Sequence, residues 1–251
     1  VTKEGGRPEL FSDVRVRRAL YSAIDRKAIV DQLLEGTVQI ANSPIPPTSA
    51  YHNPNIKAAQ YNPEEAKRLL AEAGWRDTNG DGILDKDGVK FSFTFMNRSG
   101  RADRIAIAQV VQAQLKALGI EVLMKEYEAA AWSERWRNSQ LDAQVGGWFM
   151  SSDASLTNYY HTRDGKNGSN NFTGMGNPEL DQLMLKADKT LDFNERKALL
   201  DRAQQILADE VVSMYLYYRD SPWVVSDSLV NFRGSGTNLG NWWNAYEWDL
   251  K

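Results

Sequence analysis

VKFSFTFMNRSGRADRIAIAQVVQAQLKALGIEVLMK (Val89–Lys125) decides how the rest of this 251-residue chain is read. Its first eight residues alternate: Val89, Phe91, Phe93 and Phe95 point one way, Lys90, Ser92 and Thr94 the other, as in a strand with one buried face. From Arg101 to Leu118 the period changes to that of a helix, with Ile105, Ala108, Val111 or Gln112, Leu115 and Leu118 on one stripe. Gly119 stands where a left-handed residue closes a helix. Alternation then returns in Ile120–Lys125, which buries Ile120, Val122 and Met124. Strand, helix, strand in this order is a βαβ unit, and its two strands are expected to run parallel.

Working outward, Phe11–Gly36 reads as helical, with Asp13 as N-cap, Asp25 capping a second stretch and Gly36 as the stop. Arg15, Arg17 and Arg18 are expected to form a solvated helix face, because Asp13 and Asp25 lie nearby. Ser43–Pro54 is a proline-rich loop. Asn62-Pro63 opens a helix that runs to Ala73 and stops at Gly74, and Trp75 is expected to pack on its end. Beyond the βαβ unit, Trp132 and Trp136 sit one turn apart on a short helix. Ala143–Phe149 reads as a short strand, whose Gly146 and Gly147 mark a bulge or a close approach. Met150–Asn171 has little pattern and reads as a functional or mobile loop. Asn177-Pro178 opens another helix, Asp192 and Glu195 form a capping box for the helix Phe193–Glu210, and Val211–Tyr218 reads as a strand. The remainder, to Lys251, is rich in Gly, Asn and Trp, so it is expected to pack against something.

Composition narrows the function. A net charge of −3 argues against binding nucleic acid, which normally requires a basic face. With no cysteines there is neither a disulfide framework nor a thiolate metal site. No apolar run approaches the roughly 20 residues of a membrane span. Eight tryptophans and ten tyrosines are material for a core, or for a carbohydrate or peptide cleft. His52 and His161 are far apart in sequence, the common catalytic motifs are missing, and no cofactor fingerprint is found, so no cofactor is expected.

One local motif stands out, DTNGDGILDKDG (Asp77–Gly88). Asp77, Asn79 and Asp81 followed by Gly82 match the first half of a calcium loop and are the candidate metal ligands. The twelfth position is Gly88, where a bidentate glutamate is needed. The expectation is therefore an Asx-rich turn, with calcium disfavoured.

The order of these pieces resembles the carboxy-terminal part of the family-5 extracellular solute-binding proteins of bacterial ABC importers. FSDVRVRRALYSAIDRKAIVDQLLEG (Phe11–Gly36), YNPEEAKRLLAEAGWRDTNGDGILDKDG (Tyr61–Gly88) and IAQVVQAQLKALGIEV (Ile107–Val122) come in family order. LDAQVGGWFMSSD (Leu141–Asp153), NNFTGMGNPELDQLM (Asn170–Met184) and ERKALLDRAQQILADEVVSMYLYY (Glu195–Tyr218) follow. The resemblance implies an α/β fold, a mixed sheet flanked by helices, forming one lobe of a two-lobed type II periplasmic-binding-protein fold. Residues 1–218 would be that lobe, and 219–251 a segment crossing back toward a first lobe that this sequence lacks. The opening VTKEGGRPELFSD reads as mid-chain, so the chain is expected to be a fragment and its lack of a signal peptide says nothing of compartment.

The implied function is capture of a small solute (peptide, sugar or metal complex) and delivery to an importer permease, without catalysis. The implied location is the periplasm, or a lipid anchor on the outer face of the cytoplasmic membrane. The alternatives are a ligand-presenting receptor or chaperone-like module of the same fold, and a carbohydrate-acting hydrolase with carboxylates in Met150–Asn171. In peptide-binding members the residue equivalent to Trp148 is followed three positions later by an aspartate that holds the ligand's α-ammonium. Here that position is Ser151, and the nearest carboxylate is Asp153. Trp148, Ser151 and Asp153 are the candidate ligand-binding residues, with Trp148 either a core residue or a wall of the cleft.

Overall fold

The computed structural model describes residues 8–57, 59–219, 223–234 and 242–251. Expectations placed on the first seven residues, and on 220–222 and 235–241 of the tail, lie outside them. The chain begins with α1 (Pro8–Phe11) and α2 (Val14–Ala23). Asp13 caps α2, its carboxylate accepting the Arg15 N–H at 2.8 Å. The helix breaks at Ile24, and Asp25 starts α3 (Arg26–Ala28) by accepting the Ala28 N–H at 2.9 Å. That helix widens into a π-helical turn, Ile29–Leu33, before a left-handed Gly36. After β1 (Gln39–Ile40), α4 (Pro63–Glu72) is capped by Asn62, which accepts the Glu65 N–H at 3.0 Å. Trp75 is buried past its end, with its ring centroid 4.6 Å from that of Phe91.

The stretch expected to be one strand from Val89 is divided. β2 (Asp85–Lys86) and β3 (Val89–Lys90) form an antiparallel hairpin, and β4 (Ser92–Arg98) follows. Asp87 and Gly88 both have positive φ, 52° and 77°, as a two-residue hairpin turn requires. Val89 therefore belongs to the hairpin and is 38% exposed, whereas Phe91, Phe93 and Phe95 are buried as expected. α5 (Ala102–Lys116) leads to β5 (Glu121–Tyr127), which pairs parallel with β4 from Ser92↔Glu121 to Arg98↔Tyr127. The helix buries Ile107, Ala108, Val111 and Leu115, while Ile105 is only half-buried. Gln112 donates its Nε2 to Val122 O at 2.7 Å and fastens helix to strand. Ile120 and Val122 are buried as expected, and Met124 is half-buried.

Next come α6 (Ala129–Arg137), α7 (Thr157–Tyr160), α8 (Pro178–Lys189) and α9 (Phe193–Asp209), then short strands β6 (Tyr217–Tyr218), β7 (Leu229–Val230) and β8 (Asp249–Leu250). Asn177 caps α8 and Asp192 caps α9, accepting the Glu195 N–H at 2.8 Å. Glu195 turns its carboxylate to Lys186 at 3.0 Å, so its side chain serves to join the two helices. The strand expected over Val211–Tyr218 shrinks to β6, which pairs antiparallel with β1. Val211 takes φ +46°, a left-handed turn that no strand continues through.

Two cores result. The first packs α2, α4 and α5 against β4 and β5; the second gathers Ile45, Ala154, Leu156 and Tyr160 with the buried faces of α8 and α9. The pattern-poor Met150–Asn171 stretch thus contributes Ala154, Leu156 and Tyr160 to the core. Of the α2 arginines, Arg15 and Arg18 are exposed and Arg15 pairs with Asp13 as expected, whereas Arg17 is half-buried; Arg17 Nε donates to Glu210 O and Arg18 Nη2 to Asp209 O, both at 2.8 Å. These cations satisfy the free carbonyls at the C-terminal end of α9 and complement its dipole. They tie an element of the first core to one of the second.

Candidate functional site

The chain passes from the first core to the second along Val145–Met150: Val145 packs on the first and Met150 on the second. Only Ala143 is held as the expected strand would hold it, bridging Phe95 in parallel, with the neighbouring Asp142 accepting the Thr94 N–H at 2.9 Å. From Gln144 to Ser151 there is no regular structure. Among the described residues, the peptide groups of Val145–Trp148 make no hydrogen bond. Gly146 and Gly147 are exposed, and a Cβ on Gly147 would meet nothing within 4 Å. The glycines therefore mark neither a bulge nor a close approach within the chain; they leave a bare stretch of backbone.

Aromatic rings stand beside it. Trp136 of α6 stacks on Trp148 at 5.1 Å with 22° between the planes, and touches Phe172 at 4.4 Å. Trp132 lies behind Trp136 at 4.7 Å and is buried, while Tyr159 meets Trp148 at 4.9 Å. Trp148 is 41% exposed and Phe149 58%, so the shelf presents ring surface to solvent. Arg163 lies over the Phe172 ring at 4.6 Å. The fold brings Trp132, Trp136, Trp148, Tyr159 and Phe172 together from four separate segments. A cavity of about 350 Å³ between α5 and β5, lined by Asn97, Gln112 and Glu126 among others, shares no residue with this shelf. The shelf is an open wall, suited to one side of a cleft.

Past the shelf the chain turns. Ser151 donates its hydroxyl to the Asp153 carboxylate, which also accepts the Ser155 N–H at 3.3 Å. Burial works to raise the Asp153 pKa, but Ser151, the Ser155 N–H and Arg196 together hold it below the usual carboxylate range. Ala154 has φ +53° and is buried. Beneath the turn lies Arg196, 7% exposed, whose Nη2 donates to Asp153 O and Nη1 to Ala187 O, both at 2.7 Å. Its Nε is buried without a partner among the described residues. Sequence reading missed Arg196, yet it stands four residues before Leu200 on the stripe that continues through Ala203, Gln204 and Leu207, all buried. A charged residue in register with a core stripe was the available signal. Phe172 and Arg163 carry no such periodic signal.

Asp77, Asn79 and Asp81 lie together in the loop before the β2–β3 hairpin. Asp77 accepts the N–H groups of Gly80 and Gly82 at 2.8 and 2.9 Å; Asp81 accepts that of Ile83 and the Lys90 ammonium. The Lys90 bond, then the Ile83 N–H, lower the Asp81 pKa. Among the described residues no three His, Cys, Asp or Glu side chains are grouped to hold a metal. Each histidine ring uses Nδ1 on a carbonyl, His52 on Ile45 O and His161 on Thr162 O, both at 2.6 Å. No described helix is long and apolar enough to cross a membrane.

A parallel β4–β5 pair with flanking helices thus carries an aromatic wall at the seam between the two cores. Residues 5–170 match the bacterial extracellular solute-binding proteins, family 5 middle, and the chain belongs to that family. It is similar to the oligopeptide-binding protein AppA of Bacillus subtilis, at 38% identity over 94% of this chain and 45% of AppA. The structure of AppA in complex with a nonapeptide matches with a TM-score of 0.84 at 35% identity, covering 98% of this chain and 50% of AppA. NikZ of Campylobacter jejuni in complex with Ni(L-His) matches with a TM-score of 0.78 at 25% identity, over 98% of this chain and 51% of NikZ. The chain thus spans about half the length of these relatives.

Proposed function

We propose that this chain is the ligand-binding lobe of a two-lobed substrate-binding protein of a bacterial ABC importer. It captures a peptide-like or other small polar solute between lobes and hands it to the membrane permease, with no catalysis. The observation that carries this reading is the bare Val145–Trp148 backbone beside an exposed aromatic shelf. Unpaired peptide groups are a template for the main chain of an extended ligand, and family membership and the peptide complex of AppA support the same reading. The protein would work in the periplasm or anchored by lipid at the outer face of the cytoplasmic membrane. Residues 1–218 form the lobe, and 219–251 return toward the other lobe, where the exposed Trp223, Trp242 and Tyr246 would find their cover.

Trp148 lines the cleft, and Ser151 and Asp153 face the ligand's end. Because the Asp153 carboxylate is already engaged by Ser151 and Ser155, the site does not rely on a free α-ammonium. The test is mass spectrometry of the solute retained by full-length protein purified under native conditions, followed by calorimetry. N-acetylation of a bound peptide should change affinity by less than about tenfold, or about 1.4 kcal/mol. A hundredfold loss would show Asp153 to be an ammonium anchor, and turnover of the solute would end the non-catalytic reading.

A further inference from the structure

We infer that the Trp136–Trp148–Phe172 shelf and Arg163 form one subsite, for a solute that carries a ring beside a terminal carboxylate, such as a peptide ending in an aromatic residue. The inference rests on the shelf being the solute wall proposed above and adds the chemistry of what it takes.

The argument begins with how Arg163 is held. Its guanidinium lies 4.6 Å from the centre of the Phe172 ring. Its hydrogen bonds go to Arg137 O and Ser139 Oγ at 3.4 Å and to Ser169 O at 3.3 Å, all uncharged oxygens at the long end of the range. The ring fixes the plane of the cation, while the weak bonds leave its donors available to a better acceptor. A planar guanidinium in that state is suited to a carboxylate, which it can grip with two parallel bonds.

The nearby carboxylates are committed elsewhere. Asp164 accepts the N–H groups of Lys166 and Asn167, at 2.8 and 2.7 Å, and the Asn167 side chain at 2.9 Å. Asp153 holds Ser151 and Ser155 and lies 3.9 Å from Arg196. α6 itself carries Arg135, seated over the Tyr127 ring at 4.7 Å, Arg137 and the exposed Glu134. The wall is aromatic and Arg163 sets a cation at its edge: Trp148 and Phe149 offer ring surface and Phe172 joins that surface to Arg163. A ligand matching both features has an apolar ring to lie on the shelf and a negative group at its edge.

The test uses the full-length protein and N-acetyl-phenylalanine, as the free acid and as its amide, titrated by calorimetry in low salt. The acid should bind at least about tenfold more tightly than the amide. Arg163→Gln should abolish that preference while leaving amide binding and the near-ultraviolet circular dichroism of the stacked tryptophans unchanged. Arg163→Lys should retain only part of it, since an ammonium keeps the charge and loses the planar grip. Equal binding of acid and amide, with both weakened by Trp148→Ala, would overturn this inference and leave the solute wall standing. Failure of both probes to bind, with Trp148→Ala without effect on the retained solute, would overturn the wall and the inference together.

Discussion

Replacing Arg196 with alanine removes its two 2.7 Å charge-assisted bonds, leaving Asp153 O and Ala187 O without their donor. Hydrogen bonds to a charged group contribute about 1.5–3 kcal/mol each. Arg196→Ala should therefore cost about 3 kcal/mol in urea unfolding. Arg196→Lys should recover little of it, because one ammonium on a different stem cannot reproduce the fork. The turn that Arg196 supports also predicts a pH effect. The folded Asp153 pKa lies below the unfolded value near ~3.9. Its contribution to stability is therefore present above about pH 4 and is lost as acid takes the pH down through the folded value. Comparing thermal melts, the gap between the wild-type chain and Asp153→Asn should narrow steadily from about pH 4 downward. A gap unchanged in acid would mean that the carboxylate is not held in solution as it is in the structure. The stripe of α9 marks Arg196 for burial, but its pairing with the Asp153 turn could not be read from sequence, since the partners are separated by 43 residues and meet only through packing.

At the scale of elements, termini were the best-read features. Asp13, Asn62, Asn177 and Asp192 each accept a backbone N–H where a cap was expected, because that bond is local and depends on few residues. Gly119 is equally local, with φ +79°. A Cβ there would also lie 3.1 Å from Gly82 O and 3.2 Å from Leu84 Cγ. Gly119→Ala should cost at least about 1–2 kcal/mol from the left-handed conformation alone, measured as a shift in the urea midpoint at unchanged slope. A neutral substitution would show that the α5–β5 connection relaxes freely. Strand ends were read less well. Alternation runs through Val89 without a break, yet the Asp87-Gly88 turn takes Val89 into the hairpin. Likewise the apolar run after α9 meets the left-handed Val211 and reaches a ladder only at Tyr217. A pleat pattern records which faces are buried and is silent on which neighbour completes the ladder.

Taken as a whole molecule, the chain has two cores whose ties span its length, and the cooperative unit should include both. Residues 11–218 should unfold in a single transition, and separate melting of the two cores would contradict the ties that Arg17 and Arg18 make to α9. The same fragment should bind the solute at least about a thousandfold more weakly than the full-length protein, because one wall leaves half the ligand in water. Equal affinities by calorimetry would sink the two-lobe proposal. The order of motifs made the family legible in sequence, and Trp148, Ser151 and Asp153 are all exposed, which leaves their role in binding a proposal. The shelf was legible only in pieces. Trp132 and Trp136 showed their spacing, but that Phe172 closes on both Trp136 and Trp148 is a matter of tertiary packing.

The pairing of β1 with β6 joins Gln39 to Tyr218, and near it Tyr21 donates its hydroxyl to Tyr215 O, 194 residues away. Bringing such distant partners together must be paid for in loop entropy before any contact rewards it, and folding slows accordingly. The early third of the chain therefore lacks its final strand partner until the last third has been synthesised. The spacing amounts to a clock: Gln39 and Ile40 cannot take up their ladder until Tyr217 and Tyr218 have emerged.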